Sequence, residues 1–340
     1  MRVLITGGSG FVGSHAVAAL RAAGHDLRLL VRSQERARAV LTRLGLAHDV
    51  ELVQGDVTNE SAVAGALSGC DAVLHAASVY SFDPRDRAGL EATNVRGAEL
   101  VLGQAQNQGL DPIVHVSTFA ALLPAATLPL TPDSSLGRPQ SPYLRSKEQQ
   151  EELARRLQAD GAPVVIVQPG SAWGPNDPNF GESDQLVHAV LTRRMPIVPR
   201  GGFPVVDVRD LASALAAVFR PGQGPRRYLL GGQYVQFPEV VRLLGDLTGR
   251  RLPMLRLPES LILPVAHTAD FAQRILPFRI PVPTEGIWLS KQRASCDDSR
   301  ARAELAFTPG TCARPLPIAC APSLRPAEYQ PSRPASSLPM

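Results

Sequence analysis

The sequence predicts an α/β fold, a doubly wound parallel sheet with helices on both faces and a smaller, discontinuous lid. Three observations predict it. Short β-branched apolar runs alternate with amphipathic stretches through the first half of the chain. Those runs are nearly continuous in apolar residues rather than alternating, as strands covered on both faces are. A glycine-rich turn joins the first run to the first amphipathic stretch. At 340 residues, with 44% hydrophobic and 19% charged residues, the chain can bury a large core, as one big domain or two closely packed ones.

The elements follow in order. "RVLIT" (2–6) is a strand, and "FVGSHAVAALRAAG" after it carries helical spacing. "LRLLV" (27–31) is followed by the helical "SQERARAVLTRLG". "VELVQ" (50–54), "DAVLHAA" (71–77) and "PIVHVS" (112–117) are strands, each with a helix-like segment behind it, and "APVVIVQP" (162–169) is a further strand. Ser141 and Pro142 have the chemistry of an N-cap and a first helical residue, so a helix starts there. Beyond Pro169 the rhythm breaks into the loop-rich "GSAWGPNDPNFGES", a helix over "DQLVHAVLTRR", and an irregular segment from Arg251 to Trp288 too broken for more sheet. "FPVVDVRDLASALAAVF" returns to the main domain. The sequence thus predicts a dinucleotide-binding domain over 1–169 and 205–231, and a substrate domain over 170–204 and 232–308 at the carboxyl edge of the sheet. Residues 309–340 hold eight of the 31 prolines and keep no period, so disorder is predicted there.

Composition narrows the function. A net charge of +4 with no run of five or six like charges demands neither nucleic acid nor a membrane surface as partner, and leaves a small anionic ligand open. No apolar run approaches the ~18 residues of a membrane span. A first strand beginning at Arg2 leaves no room for a signal peptide. Cys70, Cys296, Cys312 and Cys320 lack metal-ligand spacing, so a reducing cytoplasm is the expected location and no metal is expected.

"LITGGSGFVGSH" carries the first chemistry. Gly8-x-Gly10-x-x-Gly13 matches the dinucleotide fingerprint, and Gly7, Gly10 and Gly13 form a second glycine series. One glycine permits the tight turn, another lets the backbone N–H groups around Phe11 and Val12 reach a pyrophosphate, and a third lets helix meet strand. The position, after an N-terminal strand and opening a helix, makes the sheet Rossmann-type. At the end of the second strand an acid usually holds the ribose 2′-hydroxyl of NAD; Arg32 stands there with Ser33. A guanidinium suits a 2′-phosphate, so NADP is predicted over NAD; otherwise Arg32 begins a solvated basic helix with Arg36 and Arg38. Asp56 and Val57 either meet the adenine or serve the next helix, Asp56 as its N-cap. Ala76 and Ala77 either let backbone approach the ligand or simply pack.

"SPYLRSK" (141–147) places Tyr143 and Lys147 one helical turn apart, on one face. Spacing alone leaves that pair either a solvated face or an acid/base pair.

Together "TGGSGFVG", "VRS", "GDVTN", "HAAS", "TNVRG" (93–97), "HVST" (115–118), "YLRSK", "VQPGSAWGP", "VVDVRDLA", "RYLLGG" and "DDSRARAELAF" occur in one order along residues 1–308. In these the chain resembles the extended short-chain dehydrogenase/reductase family, the NAD(P)-dependent epimerase/dehydratase group, and within it the dihydroflavonol-reductase-like and 3β-hydroxysteroid-dehydrogenase-like branch. The resemblance implies that Tyr143 is the catalytic acid/base. Lys147 would lower the phenol's pKa, together with the oxidised nicotinamide, and bind the cofactor's ribose. Thr118, with Ser117 as substitute, would hold the substrate carbonyl; otherwise Thr118 satisfies a turn. It places Pro169 beside the cofactor, and Asn94 as a brace between helix and strand. It implies an NADP(H)-dependent oxidoreductase acting on a ketone or secondary alcohol. The alternatives are a nucleotide-sugar epimerase or dehydratase with tightly bound NAD(P), and a non-catalytic NADP-sensing protein. Homodimers are common in the family.

Two departures stand out. Gln168 replaces an arginine that many relatives carry before the proline, which argues against an anionic sugar-nucleotide substrate, and only Arg193, Arg194 and Arg200 could clamp a diphosphate in 170–204. After "ELAF" a Pro-rich peptide replaces the family's closing helix, as a change of reading frame near Phe307 would produce. Leu, Pro, Phe and Trp288 in the lid suit an apolar or cyclic substrate, or a plain apolar core.

Overall fold

The computed structural model describes residues 1–46, 49–79, 87–273 and 284–310. The first half runs β1 (Arg2–Thr6), α1 (Phe11–Ala22), β2 (Asp26–Val31), α2 (Gln34–Arg43), β3 (Glu51–Gln54), α3 (Glu60–Leu67), β4 (Ala72–His75), α4 (Arg87–Leu90), α5 (Gly97–Asn107), β5 (Ile113–Val116), α6 (Pro142–Ala159) and β6 (Val164–Pro169). The second half runs β7 (Ser171–Trp173), α7 (Glu182–Leu191), β8 (Ile197–Pro199), β9 (Gly202–Asp207), α8 (Val208–Ala217), β10 (Arg226–Leu230), β11 (Gln233–Gln236), α9 (Phe237–Thr248), β12 (Leu255–Leu257), α10 (Glu259–Gln273), α11 (Thr284–Gln292) and α12 (Ser299–Leu305). A π-helical turn, Glu91–Arg96, precedes α5.

Seven strands pair in the order β10-β6-β5-β4-β1-β2-β3, every pairing parallel. The alternation of side chains along each strand divides the core in two. Val3, Ile5, Val114, Val116, Val165 and Val167 face one layer with residues of α1, α2 and α8. Leu4, Ile113, Val164 and Ile166 face the other, with residues of α3, α5 and α6. That is the physical reason for the nearly continuous apolar runs. Strand order reverses between β1 and β4, so the connections that follow them leave in opposite directions, the place where an open α/β sheet binds ligands.

Beside that edge lie a three-stranded sheet, β11-β9-β7, and a two-stranded one, β12-β8. Trp173, Leu186, Val190, Val198, Phe237, Val241 and Leu244 form their core. The segment from Arg251 onward therefore does contribute sheet, contrary to expectation: Leu255–Leu257 pairs with Ile197–Pro199, a strand too short to display a period. The loop after Pro169 likewise contains β7. In the "FPVVDVRDLA" segment β9 joins the small sheet, while α8 packs against the core layer of α1. Residues 311–340, where disorder is predicted, lie outside the described residues, with Cys312 and Cys320 among them. Cys70 and Cys296 are free. Among the described residues no helix is long and apolar enough to cross a membrane, and no group of His, Cys, Asp and Glu could hold a metal ion.

Candidate active site

The turn after β1 has no room for side chains at Gly7, Gly8 and Gly13. Gly7 has φ +77°, and a Cβ there would lie 2.6 Å from the backbone of Ala76 and Ala77. A Cβ on Gly13 would lie 2.1 Å from the Gly7 carbonyl oxygen, and one on Gly8 2.6 Å from Leu29. Ala76 and Ala77 are thus the surface on which the turn closes: the Ala76 N–H donates to the Thr6 carbonyl at 3.1 Å. Gly10 is the N-cap of α1, and no side chain caps that helix. The Gly10 carbonyl accepts from the Ser14 N–H, so the N–H groups of Phe11, Val12 and Gly13 lack helical partners. Open donors at the positive end of a 12-residue helix, beside a cradle too tight for a Cβ at Gly7, Gly8 or Gly13, fit a pyrophosphate.

At the end of β2, Arg32 is exposed and lies outside α2. The Ser33 hydroxyl caps α2, accepting from the Arg36 N–H at 3.2 Å. Arg36 bonds the Asn179 side chain, and His15 Nε2 meets the Pro175 carbonyl at 2.9 Å. The loop behind β7 is therefore fastened to both α1 and α2. Asp56 is not a helix cap, contrary to one of its two sequence-based roles. Its carboxylate accepts from the Thr58 N–H at 2.9 Å and hydroxyl at 2.7 Å, while Asn59 caps α3. Asn takes the cap because it stands immediately before the first helical residue. Val57 is buried and packs where a Cβ on Gly97 would fall.

Helix α6 begins as its sequence dictates. Ser141 Oγ accepts from the Leu144 N–H at 3.1 Å with Pro142 in the first turn, and the Ser141 hydroxyl also bonds Glu285. Tyr143 and Lys147 both point inward, 9% and 4% exposed. Tyr143 sits among Leu90, Phe119, Leu123, Leu144 and Ala294, with Trp288 and Cys296 at the margin. Burial first, then the Glu285 and Glu182 carboxylates, hold its phenol well above the ordinary value. Burial thus favours the protonated phenol, opposite in direction to the lowering expected from Lys147 together with the oxidised nicotinamide. Lys147 Nζ donates to the Val116 carbonyl at 3.0 Å, and burial lowers it to about 8 against the opposing pull of Glu151.

The end of β5 separates the two hydroxyl candidates. Ser117 Oγ donates to Glu151 Oε2 at 2.5 Å in the interior and is committed there. Thr118 Oγ1 accepts from the Ala120 N–H at 3.2 Å, capping a 3-10 turn; it satisfies that turn and keeps its own O–H to donate. Asn94 braces as expected. Its side chain accepts from the Val79 N–H at 2.7 Å and donates to the Ser146 hydroxyl at 2.9 Å. Gln168 corrects an inference. It is fully buried and donates to Glu151 Oε1 at 2.5 Å, so it meets no substrate and says nothing about sugar nucleotides. Arg193, Arg194 and Arg200 are exposed. Pro169 ends β6 opposite Leu230.

Sequence reasoning missed Glu151, His75 and His115. The two imidazoles stack between β4 and β5, ring centroids 5.7 Å apart. Burial, then Lys147, pushes His75 down to about 3 and His115 well below its ordinary value. Both histidines stand in the motifs "HAAS" and "HVST", which was the one available signal.

The chain matches the NAD dependent epimerase/dehydratase family over residues 3–231. It is 30% identical over 315 residues, 90% of this chain and 92% of the relative, to the 4-hydroxy-2-methyl-3-oxo-4-farnesyl-3,4-dihydroquinoline-1-oxide ketoreductase of Stigmatella aurantiaca. It is 29% identical over 312 residues, 88% of each chain, to a putative dihydroflavonol 4-reductase of Synechocystis. A dTDP-glucose 4,6-dehydratase from Streptomyces venezuelae, solved with NAD bound, superposes with a TM-score of 0.70 and 25% identity over 92% of each chain. With that sheet, that glycine cradle and these relatives, the chain belongs to the NAD dependent epimerase/dehydratase family of extended short-chain dehydrogenase/reductase enzymes.

Proposed function

We propose that the protein is an NADP(H)-dependent oxidoreductase that interconverts a ketone and a secondary alcohol, with Tyr143 as general acid. The observation that carries this reading is the Tyr143 phenol buried in an apolar wall, one helical turn from a lysine fixed to the end of β5. When bound, the cofactor would supply a hydride to the carbonyl carbon. The residues of the chain do the rest. The first turn of α1 takes the pyrophosphate, and Arg32 with Ser33 favours a 2′-phosphate over a bare hydroxyl. The Thr118 O–H donates to the carbonyl oxygen. Tyr143 gives up its proton as negative charge grows on that oxygen, a step worth about 10²–10⁴-fold. Lys147, cationic below about 8, stabilises the phenolate left behind. Leu90, Phe119, Leu123 and Trp288 around the phenol suit an apolar or cyclic ketone. The test is a spectrophotometric screen of aldehydes, ketones and sugar nucleotides with each reduced cofactor. Tyr143→Phe retaining full turnover would sink the assignment.

A second reading, a nucleotide-sugar epimerase or dehydratase with tightly held NAD(P), draws support from Glu182 and Glu285. Both carboxylates act on the Tyr143 phenol, and an elimination needs a second acid/base. Protein that copurifies with a non-exchanging dinucleotide and oxidises NADPH with no carbonyl would favour it.

A further inference from the structure

Glu151 is a charged residue with no exposed surface, one helical turn beyond Lys147 on the inner face of α6. Its two oxygens take four donors. Oε2 accepts from the Ser117 hydroxyl at 2.5 Å. Oε1 accepts from Gln168 Nε2 at 2.5 Å and from Arg155 Nη2 and Nε at 2.6 and 3.0 Å. Arg155 is held in turn by the Ser134 carbonyl at 2.9 Å. Helix α6 thus grips consecutive residues at the end of β5, Val116 through Lys147 and Ser117 through Glu151, and Gln168 near the end of β6. Thr118 is the next residue.

The charges around Lys147 are few. On its own helix it has Tyr143, protonated, and Glu151, whose charge Arg155 partly offsets. From β4 and β5 it faces His75 and His115, both neutral because burial forbids their charged forms. Glu148 on the same helix is acted on by Glu152, Arg138 and Arg145, on the outer side. Burial works against the ammonium, and Glu151 is the group that works for it.

We propose that Glu151 is a positioning residue for the Tyr143–Lys147 pair: it fixes the strand ends that carry Ser117 and Thr118, and it stands one helical turn from Lys147 as its buried counter-charge. This rests on the proposed function for its catalytic consequence but not for its electrostatics. A buried carboxylate sharing one helix face with an ammonium favours the charged lysine, and the guanidinium that neutralises the carboxylate weakens that effect.

The composition makes the test direct, because the chain has two lysines, Lys147 and Lys291. Labelling the full-length protein with lysine carrying 13C at Cε gives two titrating resonances, and Lys291, which is exposed, is the internal control. Wild-type Lys147 is expected to titrate near 8. Glu151→Gln should lower that midpoint by roughly one pH unit, and Arg155→Met should raise it by a similar amount, since each removes one of two opposed charges. If Glu151→Gln fails to fold, Arg155→Met decides alone. A Lys147 midpoint unmoved in a folded variant, or moved with the opposite sign, overturns the proposal. Turnover against pH, measured on the same proteins, separates the two ideas. If the resonance shifts as stated while the basic limb of turnover stays put, the role of Glu151 stands and the Tyr143–Lys147 mechanism falls.

Discussion

Gly10 and Gly13 lie three residues apart in one loop, yet substitutions there should act in opposite ways. A Cβ on Gly13 would sit 2.1 Å from the Gly7 carbonyl oxygen and 2.7 Å from its carbon. That is about 1.2 Å inside even a close C–H···O approach of ~3.3 Å, and the obstacle is backbone, which cannot swing aside. Gly13→Ala is therefore an overpacking change of about 1–3 kcal/mol, or a melting point lower by roughly 1–4 °C in a chain of this size. Gly10 has φ −90° and ψ 176°, open to any residue, and its Cβ would meet only the Gly7 oxygen at 3.2 Å. Gly10→Ser places a good N-cap at the start of α1, so the ligand-free melt should stay within about 1 °C of wild type. The same hydroxyl would occupy the donors left for a pyrophosphate, so NADPH affinity should fall about tenfold or more. Thermal melts with and without NADPH read both effects, because saturation to ~100 Kd stabilises by about 2.7 kcal/mol, and calorimetric titration gives the affinity directly. Gly10→Ser binding NADPH as tightly as wild type would refute the claim that these donors belong to the ligand. An unchanged melt for Gly13→Ala would refute the packing argument.

Other perturbations read other parts of the site. Arg32→Ala should weaken NADPH several-fold while leaving NADH nearly unchanged, measured as the ratio of kcat/KM for the two cofactors; equal losses would leave Arg32 a solvated surface cation with no part in cofactor choice. Ser141→Ala removes the cap of α6 and its bond to Glu285, and should cost about 0.5–2 kcal/mol in urea unfolding. Lys147 is held at about 8 against an ordinary 10.5. Between these values the unfolded chain carries more protons, so stability climbs with pH across that window, by at most about 1.4 kcal/mol per unit. Lys147→Met should flatten the climb, seen by comparing urea midpoints near pH 8 and near pH 10.

Much of this architecture was legible because local chemistry and global fold agree. The apolar runs, the glycine turn, and the Ser-Pro start of α6 each state their structure within a few residues. What escaped was written across distance. Glu151 sits in "EQQEELARR", polar enough to pass for a solvated face, and its partners Ser117 and Gln168 stand 34 and 17 residues away. Nothing near Leu255–Leu257 marks it as the partner of Ile197–Pro199, since three residues cannot express an alternation. Gln168 misled for a related reason: its place before a proline was visible, but not that it faces the interior, where substrate cannot reach.

The proton-handling side chains proposed here ride on α6 and the strand ends it grips, while α11 contributes Trp288 and Glu285 and α7 contributes Glu182. Such a division is modular. Under the proposed function, exchanging Trp288 and its neighbours on α11 would retune which molecule is accepted without rebuilding the transfer apparatus, a practical route to new selectivity.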